Sequence, residues 1–121
     1  MIKGLGIDIL ANDRFAALKN KAEFTEDVFT PDELSVAQRS PNHDNAFALF
    51  FSIKEAFLKA LSCGLHFGSF WRGININHHL EVKTSGRVSH FVEEKAVRQF
   101  HTSAAQTKRY ALGVVVLESE D

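Results

Sequence analysis

The chain has 121 residues, of which 45% are hydrophobic, and its 14 basic and 15 acidic side chains give a formal net charge of −1. This composition predicts one compact domain, residues 1–121, and the balanced charge argues against a nucleic-acid partner. One cysteine, Cys63, excludes an intrachain disulfide and a cysteine-based zinc site, and no apolar run reaches the roughly 20 residues that span a bilayer. We therefore expect a cytoplasmic protein with no membrane partner.

The chain begins with a predicted strand over residues 2–10, which contains two glycines and one carboxylate. Glycine inside a strand weakens it, so Gly4 and Gly6 indicate close approach of a neighbour or a ligand. Asp8 is unfavourable inside an apolar strand unless a partner compensates its charge. Two interpretations of Asp8 follow: a salt-bridged structural carboxylate, or a residue of a functional site.

Two helices are predicted next from their capping residues. A short helix begins at Asn12 or Asp13, both of which are good N-caps. A second helix begins at Thr30, which forms a predicted capping box with Glu33. This helix ends before Pro41, because proline disfavours helical geometry in the residue that precedes it.

A long amphipathic helix is predicted to open at Asn42 to Asp44, to run to about Ser62 and to stop at Gly64. Glu55 and Lys59 lie on its narrow polar arc, whereas Lys54 falls among the apolar positions and needs a partner or a route to solvent. Glu four residues before Lys is also the favoured helix-surface ion pair, worth roughly 0.2–0.5 kcal/mol. That structural interpretation stands beside a functional one.

The second half of the chain predicts a hairpin, a helix and a closing strand. Residues 74–77 and 80–84 alternate as paired strands, residues 88–100 follow helical spacing, and residues 110–118 form a valine-rich buried strand. The sum is about three helices and four or five strands in one α/β (α+β) domain. The six histidines show no spacing typical of a metal site.

Asp8 and Glu55 lie on separate predicted elements, and Lys59 follows Glu55 by one helical turn. Two carboxylates can share a hard divalent cation such as Mg²⁺, which prefers oxygen ligands and accepts substrate phosphates as the rest of its shell. A lysine ammonium can meet phosphate oxygens as a point charge. This combination indicates phosphoryl transfer.

An ordered set of short segments extends over nearly the whole chain. The segments are Gly6-Ile7-Asp8, Arg14, residues 29–34 (FTPDEL), residues 51–60 (FSIKEAFLKA), the turn Cys63-Gly64, and residues 110–118, which begin with Tyr-Ala and finish in Glu. The set, at these spacings, resembles the 4'-phosphopantetheinyl transferases, and specifically their short holo-acyl-carrier-protein synthase type. The ordered set is specific, whereas its individual pieces are not.

The resemblance implies a small antiparallel sheet packed on a long helix, in a homotrimer with coenzyme A between subunits. The implied reaction moves the 4'-phosphopantetheine arm of coenzyme A to a serine of an apo acyl-carrier protein and releases adenosine 3',5'-bisphosphate. Asp8 and Glu55 would hold Mg²⁺, and Lys59 would meet the pyrophosphate. Glu55, or a water that it orients, would accept the serine proton. The other implied contacts are Lys54, Lys59 and Gly64 for coenzyme A, and Arg14, Lys19 and Lys21 for an acidic carrier.

The chain departs from the family pattern at three places. Phe50 stands where the family usually has an Arg, residues 77–80 replace a Gly-Lys-Pro turn, and residues 103–106 replace a Ser-x-Ser-His segment. Two basic groups that could meet coenzyme A phosphates are therefore absent from the sequence. Two alternatives remain open: a non-catalytic relative that binds coenzyme A or a carrier protein, and an unrelated Mg²⁺-dependent phosphohydrolase built on Asp8 and Glu55.

Overall fold

The computed structural model describes residues 1–62 and 70–120, which form five strands and five α-helices. The strands are β1 (Ile2–Ala11), β2 (Ile74–Ile76), β3 (Val82–Thr84), β4 (Gln99–Gln106) and β5 (Tyr110–Glu118). The helices are α1 (Asp13–Ala16), α2 (Lys21–Val28), α3 (Pro31–Arg39), α4 (His43–Leu61) and α5 (Gly86–Glu94), and a 3-10 turn (Trp71–Gly73) precedes β2.

The main sheet is antiparallel, with β5 in the centre between β1 and β4. Along β5, buried and half-buried residues alternate, so one face of the sheet contacts the core. Helix α4 packs across this face, and the register places Asp8 of β1 opposite Gly113 of β5. The strands β2 and β3 pair separately, with Ile74 opposite Thr84, as the sequence predicts.

Glycines allow the backbone of α4 to lie directly on the sheet. A Cβ atom at Gly6 would overlap the carbonyl group of Ala56, and one at Gly113 would lie 2.7 Å from the carbonyl oxygen of Ser52. The close approach that Gly6 indicates is therefore confirmed, and the neighbour is α4. Asp8 and the middle of α4 are held near each other by this contact between backbones.

The predicted caps position α3 and α4. The amide N–H of Glu33 donates to the Thr30 hydroxyl at 3.3 Å, and the Thr30 N–H donates to the Glu33 carboxylate at 2.9 Å, which completes the capping box. Asn42 caps α4 by accepting from the Asn45 N–H at 3.0 Å. Helix α4 ends at Ser62, whose φ of 55° is left-handed.

Two predictions about elements are wrong. The helical spacing over residues 88–100 ends early, because α5 stops at Glu94 and Ala96 takes a left-handed φ of 56°. Phe100 belongs to β4, from which its ring packs against Phe57 at a centroid distance of 5.1 Å. The prediction also omits α2, whose apolar periodicity is weak, and the described residues contain five helices where the sequence predicts about three.

The outer face of the main sheet is apolar as well. Leu5, Ile7 and Ile9 of β1 are exposed there, beside the half-buried Leu112 and Val114 of β5. Such a contiguous apolar face is typical of an interaction surface. In the described part of the chain, none of the helices is long and apolar enough to cross a membrane.

Candidate active site

Strand β1 and helix α4 bring together Asp8 and Lys59. The Lys59 ammonium donates to Asp8 Oδ1 at 2.9 Å and to the Ile7 carbonyl oxygen at 3.1 Å. The Asp8 side chain is 16% exposed and the Lys59 side chain 47% exposed, so the pair lies at the surface and a ligand can reach it. Lys59 therefore pairs with Asp8 of β1. The helix-surface interpretation expects a pair with Glu55 instead.

Glu55 completes the cluster from α4. Its Oε1 accepts a hydrogen bond from the indole N–H of Trp71 at 2.8 Å. Burial raises the pKa of Glu55, and the negative charge of Asp8 raises it further, whereas the Trp71 hydrogen bond and the charges of Lys59 and Arg14 lower it. Asp8, Lys59 and Arg14 therefore all act electrostatically on Glu55.

The donor set of this cluster suits a hard divalent cation. Asp8 and Glu55 come from different elements, and their like charges act on each other, which a bound cation would relieve. Across residues 1–62 and 70–120, no group of three or more His, Cys, Asp and Glu side chains is arranged to hold a metal ion. Two carboxylates fit Mg²⁺, which keeps several waters and takes substrate phosphate oxygens as further ligands.

Lys54 has a structural role, which corrects the prediction that it contacts coenzyme A. Its ammonium lies 2.8 Å from Glu33 Oε1, and both side chains are fully buried. It also donates to the backbone carbonyl oxygens of Trp71, at 2.8 Å, and Ile74. A lysine held in this way has no exposed surface to offer to a phosphate, because its apolar position on α4 faces the core.

Glu33 anchors this buried pair. Besides the Lys54 ammonium, its carboxylate accepts from the N–H groups of Thr30, at 2.9 Å, and Ile76, at 2.7 Å. Burial raises the pKa of Glu33 and lowers the pKa of Lys54, and the hydrogen bonds oppose both shifts. The pair joins α3, α4 and β2, and its sequence signals are the capping-box position of Glu33 and the apolar position of Lys54 on α4.

Trp71 is a site residue that the sequence does not mark. Its ring lies near Phe51 and Phe24, with centroid distances of 5.6 Å and 6.2 Å, while its indole reaches Glu55. It is the one tryptophan in the chain, but it lies outside every periodic segment and 16 residues beyond Glu55. Only the fold brings the two side chains together.

An apolar cavity of about 220 Å³ lies beside this cluster. It is lined by Leu10, Arg14, Phe15, Leu18, Phe24, Phe51 and Trp71. Of the three residues predicted to meet a carrier protein, Arg14 and Lys19 are exposed, whereas Lys21 forms an ion pair with Asp44. Gly64, predicted to contact coenzyme A, lies outside the described residues.

The three departures from the family pattern meet at a second cavity, of about 350 Å³. Phe50, His78, Leu80 and Gln106 contribute to its wall, one or more from each of the three segments. The other lining residues are Val36, Ser40, Pro41, Asn42, Asn45, Ala46 and Leu49. The wall therefore consists of apolar, hydroxyl, amide and imidazole side chains.

Known proteins share both the sequence pattern and the fold. The profile of the 4'-phosphopantetheinyl transferase superfamily matches residues 4–115. The holo-[acyl-carrier-protein] synthases of Geotalea daltonii and Geobacter sulfurreducens are 34% and 33% identical to the chain, over 98% of its length and 99% and 98% of theirs.

Two crystal structures agree with this result. The holo-[acyl-carrier-protein] synthase of Neisseria meningitidis superposes with a TM-score of 0.88 at 30% identity, over 98% of this chain and 100% of its own. The enzyme of Bacillus anthracis, in complex with CoA (3',5'-ADP), superposes with a TM-score of 0.78 at 28% identity, over 99% of each chain. The predicted fold class is thereby confirmed. The chain belongs to the 4'-phosphopantetheinyl transferase superfamily and, within it, to the holo-acyl-carrier-protein synthase type.

Proposed function

We propose that the chain transfers the 4'-phosphopantetheine arm of coenzyme A to a serine of an apo acyl-carrier protein, with Mg²⁺ at Asp8 and Glu55. The serine oxygen forms a bond to the phosphorus that carries the arm, and the pyrophosphate P–O bond breaks to release adenosine 3',5'-bisphosphate. The observation that carries this proposal is the meeting of Asp8, Glu55 and Lys59 at one accessible surface. The names of the relatives support the same reaction.

Each charged residue of the site has a separate task. Asp8 and Glu55 would hold Mg²⁺, which would neutralise charge on the pyrophosphate when bound. Lys59 exchanges Asp8 for a pyrophosphate oxygen and stabilises the negative charge that develops on the leaving phosphate. The exchange costs little because an exposed ion pair is worth only about 0–1 kcal/mol.

Glu55 is also the candidate that accepts the serine proton, directly or through a water. Burial raises the pKa of Glu55 and makes its ionised form a stronger base. The serine proton thus leaves the attacking oxygen on the side of α4.

The carrier protein docks at Arg14 and Lys19 in this proposal. Both are exposed, and a positive surface attracts an acidic carrier and orients its approach. The apolar cavity beside Arg14 is suited to an apolar side chain of the incoming carrier. Lys21 contributes less, because Asp44 already pairs with it.

The assembly that we propose is a homotrimer in the cytoplasm, joined through the outer face of the main sheet. Leu5, Ile7 and Ile9 are 60%, 53% and 64% exposed on that face, and burying them in an interface is favourable. Sedimentation of the wild type and of Ile7→Lys tests this. A trimer that the charged side chain dissociates supports the interface, and a monomeric wild type contradicts it.

Incubation of the protein with coenzyme A, Mg²⁺ and an apo acyl-carrier protein tests the activity. A gain in carrier mass equal to the phosphopantetheine arm, abolished by a chelator, supports the transferase. Binding of coenzyme A or carrier without transfer favours the non-catalytic alternative. Release of phosphate without a carrier favours the phosphohydrolase.

A further inference from the structure

Trp71 contacts two consecutive residues of α4 through two different groups. Its backbone carbonyl oxygen accepts from the Lys54 ammonium at 2.8 Å, and its indole N–H donates to Glu55 Oε1 at 2.8 Å. Lys54 is fully buried and Glu55 is half-buried, so Trp71 links a core residue to its partly exposed neighbour on the helix. One residue thereby connects the buried ion pair to the active-site carboxylate.

The backbone of Trp71 is fixed from the core side. The Lys54 ammonium, which donates to the Trp71 carbonyl oxygen, also lies 2.8 Å from Glu33, and both of these charged side chains are fully buried. A buried lysine that donates to a carboxylate and to backbone carbonyls has few other positions available, because each lost hydrogen bond leaves a buried polar group unsatisfied. This network therefore defines where the 3-10 turn (Trp71–Gly73) begins.

The ring of Trp71 is fixed from the opposite side by aromatic contacts. Its centroid lies 5.6 Å from that of Phe51 and 6.2 Å from that of Phe24, with inclined planes in both pairs. Such tilted aromatic contacts stabilise a defined ring orientation. The direction of the indole N–H is therefore set before any ligand arrives.

We propose that Trp71 is a positioning residue, whose indole N–H holds Oε1 of Glu55 so that Oε2 faces the cation and the substrate. This role rests on the proposed transferase function. A free glutamate side chain samples several rotamers, and a contact made in advance reduces the entropy lost when the ligand binds. Outer hydrogen bonds of this kind fix the direction of metal-binding carboxylates in other sites.

The hydrogen bond can be removed without changing the shape of the ring. Trp71 is the one tryptophan in the chain, so a tryptophan auxotroph supplied with benzothienylalanine, in which sulfur replaces the indole N–H, alters this position alone. We expect kcat to fall and the dissociation constant for Mn²⁺ to rise, each by about tenfold. The Michaelis constant for the carrier should change less than twofold. Trp71→Phe should show the same losses.

Free Mn²⁺, followed by its electron paramagnetic resonance signal, gives the affinity without any turnover. Phe100→Leu serves as the packing control, because Phe100 contacts Phe57 from β4 and has no hydrogen bond to Glu55. Equal kcat and equal Mn²⁺ affinity in the wild-type and benzothienylalanine proteins would overturn the role of Trp71. Losses of the same size in Phe100→Leu would overturn it too, since they would reflect a loosened fold.

Fluorescence of Trp71 provides a further readout in the wild type. Mn²⁺ bound at Asp8 and Glu55 should quench the indole emission, and Asp8→Ala should prevent the quenching. If the wild type modifies no carrier, the transferase proposal fails, whereas the Mn²⁺ affinities of the two proteins still decide whether the indole N–H positions Glu55.

Discussion

Lys59 Nζ lies 2.9 Å from Asp8 Oδ1, and this contact joins the last turn of α4 to β1 at the surface of the candidate site. The lysine does not pair with Glu55, its neighbour one turn earlier, which bonds instead to Trp71. Asp8 and Glu55 are thus each held by another residue in the free protein. The contact with Asp8 is the exposed and weaker one, so it is the one that a ligand can displace.

Lys59→Met tests whether this lysine acts on phosphate or on the fold. Methionine keeps most of the aliphatic stem and a similar helix propensity. The free energy of unfolding should change by less than about 1 kcal/mol, because the ion pair is exposed. Turnover should fall more than about tenfold, equivalent to roughly 1.4 kcal/mol of transition-state stabilisation. Steady-state kinetics and urea denaturation measure the two quantities, and unchanged turnover with a lower stability would favour a structural ion pair.

Asp8→Asn tests the metal centre with little change in shape. The amide removes the charge that binds the cation, so we expect a loss of at least about a hundredfold in turnover at limiting Mg²⁺, or roughly 2.7 kcal/mol. Circular dichroism should match that of the wild type. Carrier mass spectrometry over a series of Mg²⁺ concentrations measures the effect. Wild-type turnover at limiting Mg²⁺ would show that Asp8 is no ligand.

Glu55→Gln should stabilise the protein while it abolishes transfer. Burial holds the pKa of Glu55 above its usual 4.5, so the folded state binds this proton more tightly than the unfolded chain. The resulting stability is present below pH 4.5 and is lost as the pH rises through the raised pKa. Glutamine avoids that loss and still offers an oxygen to the Trp71 indole.

Calorimetry without divalent cations checks this prediction. The gain in Tm of Glu55→Gln over the wild type should be larger at about pH 7.5 than at about pH 5. A gain that is the same at both pH values, or a loss at the higher one, would mean that the ionised carboxylate carries no penalty in the folded state.

Arg14→Glu tests the carrier surface. Reversing this exposed charge should raise the Michaelis constant for an acidic carrier severalfold at low salt and leave coenzyme A binding unchanged. The difference should shrink as salt is added, because the Debye length at physiological ionic strength is about 8–10 Å. Lys83→Glu, a reversal of an exposed charge on β3, is the matched control. Equal Michaelis constants for Arg14→Glu and wild type at low salt would place the carrier elsewhere.

The buried pair of Glu33 and Lys54 should behave as a coupled unit. Glu33→Gln leaves the Lys54 ammonium without its buried counter-ion, which costs about 3–5 kcal/mol of stability. Lys54→Met has a similar effect on the carboxylate. The double variant should lose less than the sum of the single losses, because no charge remains unpaired. Urea denaturation gives the four free energies, and strict additivity would contradict the coupling.

The sequence predicts the parts of this site that depend on local spacing. Asp8 inside an apolar strand, and Glu55 and Lys59 on one polar arc, follow from periodicity and from the resemblance. The distances between these three side chains do not follow from periodicity or from the resemblance. The capping box of Thr30 and Glu33 is likewise local, and it forms as expected.

The remaining features depend on contacts between distant segments. Helical spacing continues formally to Phe100, but the left-handed Ala96 ends the helix, and Phe100 then packs from a strand. The partner of Lys54 comes from α3, and that of Glu55 from a turn 16 residues later. The resemblance implied that Lys54 contacts coenzyme A, and periodicity alone does not show that this buried lysine has a counter-ion on α3.

Because glycines lie under α4, the face of the sheet that contacts this helix tolerates substitutions less well than the rest of the sheet. Gly6 lies two positions before Asp8 on β1 and faces Ala56, the residue next to Glu55 on α4. A methyl group at Gly6 would therefore force α4 away from β1 at this point. The absence of a side chain at Gly6 therefore determines the distance between Asp8 and Glu55. Stabilising substitutions elsewhere can restore the folding of such a variant without restoring this distance, so directed evolution of this scaffold should leave Gly6 and Gly113 intact and begin outside β1 and β5.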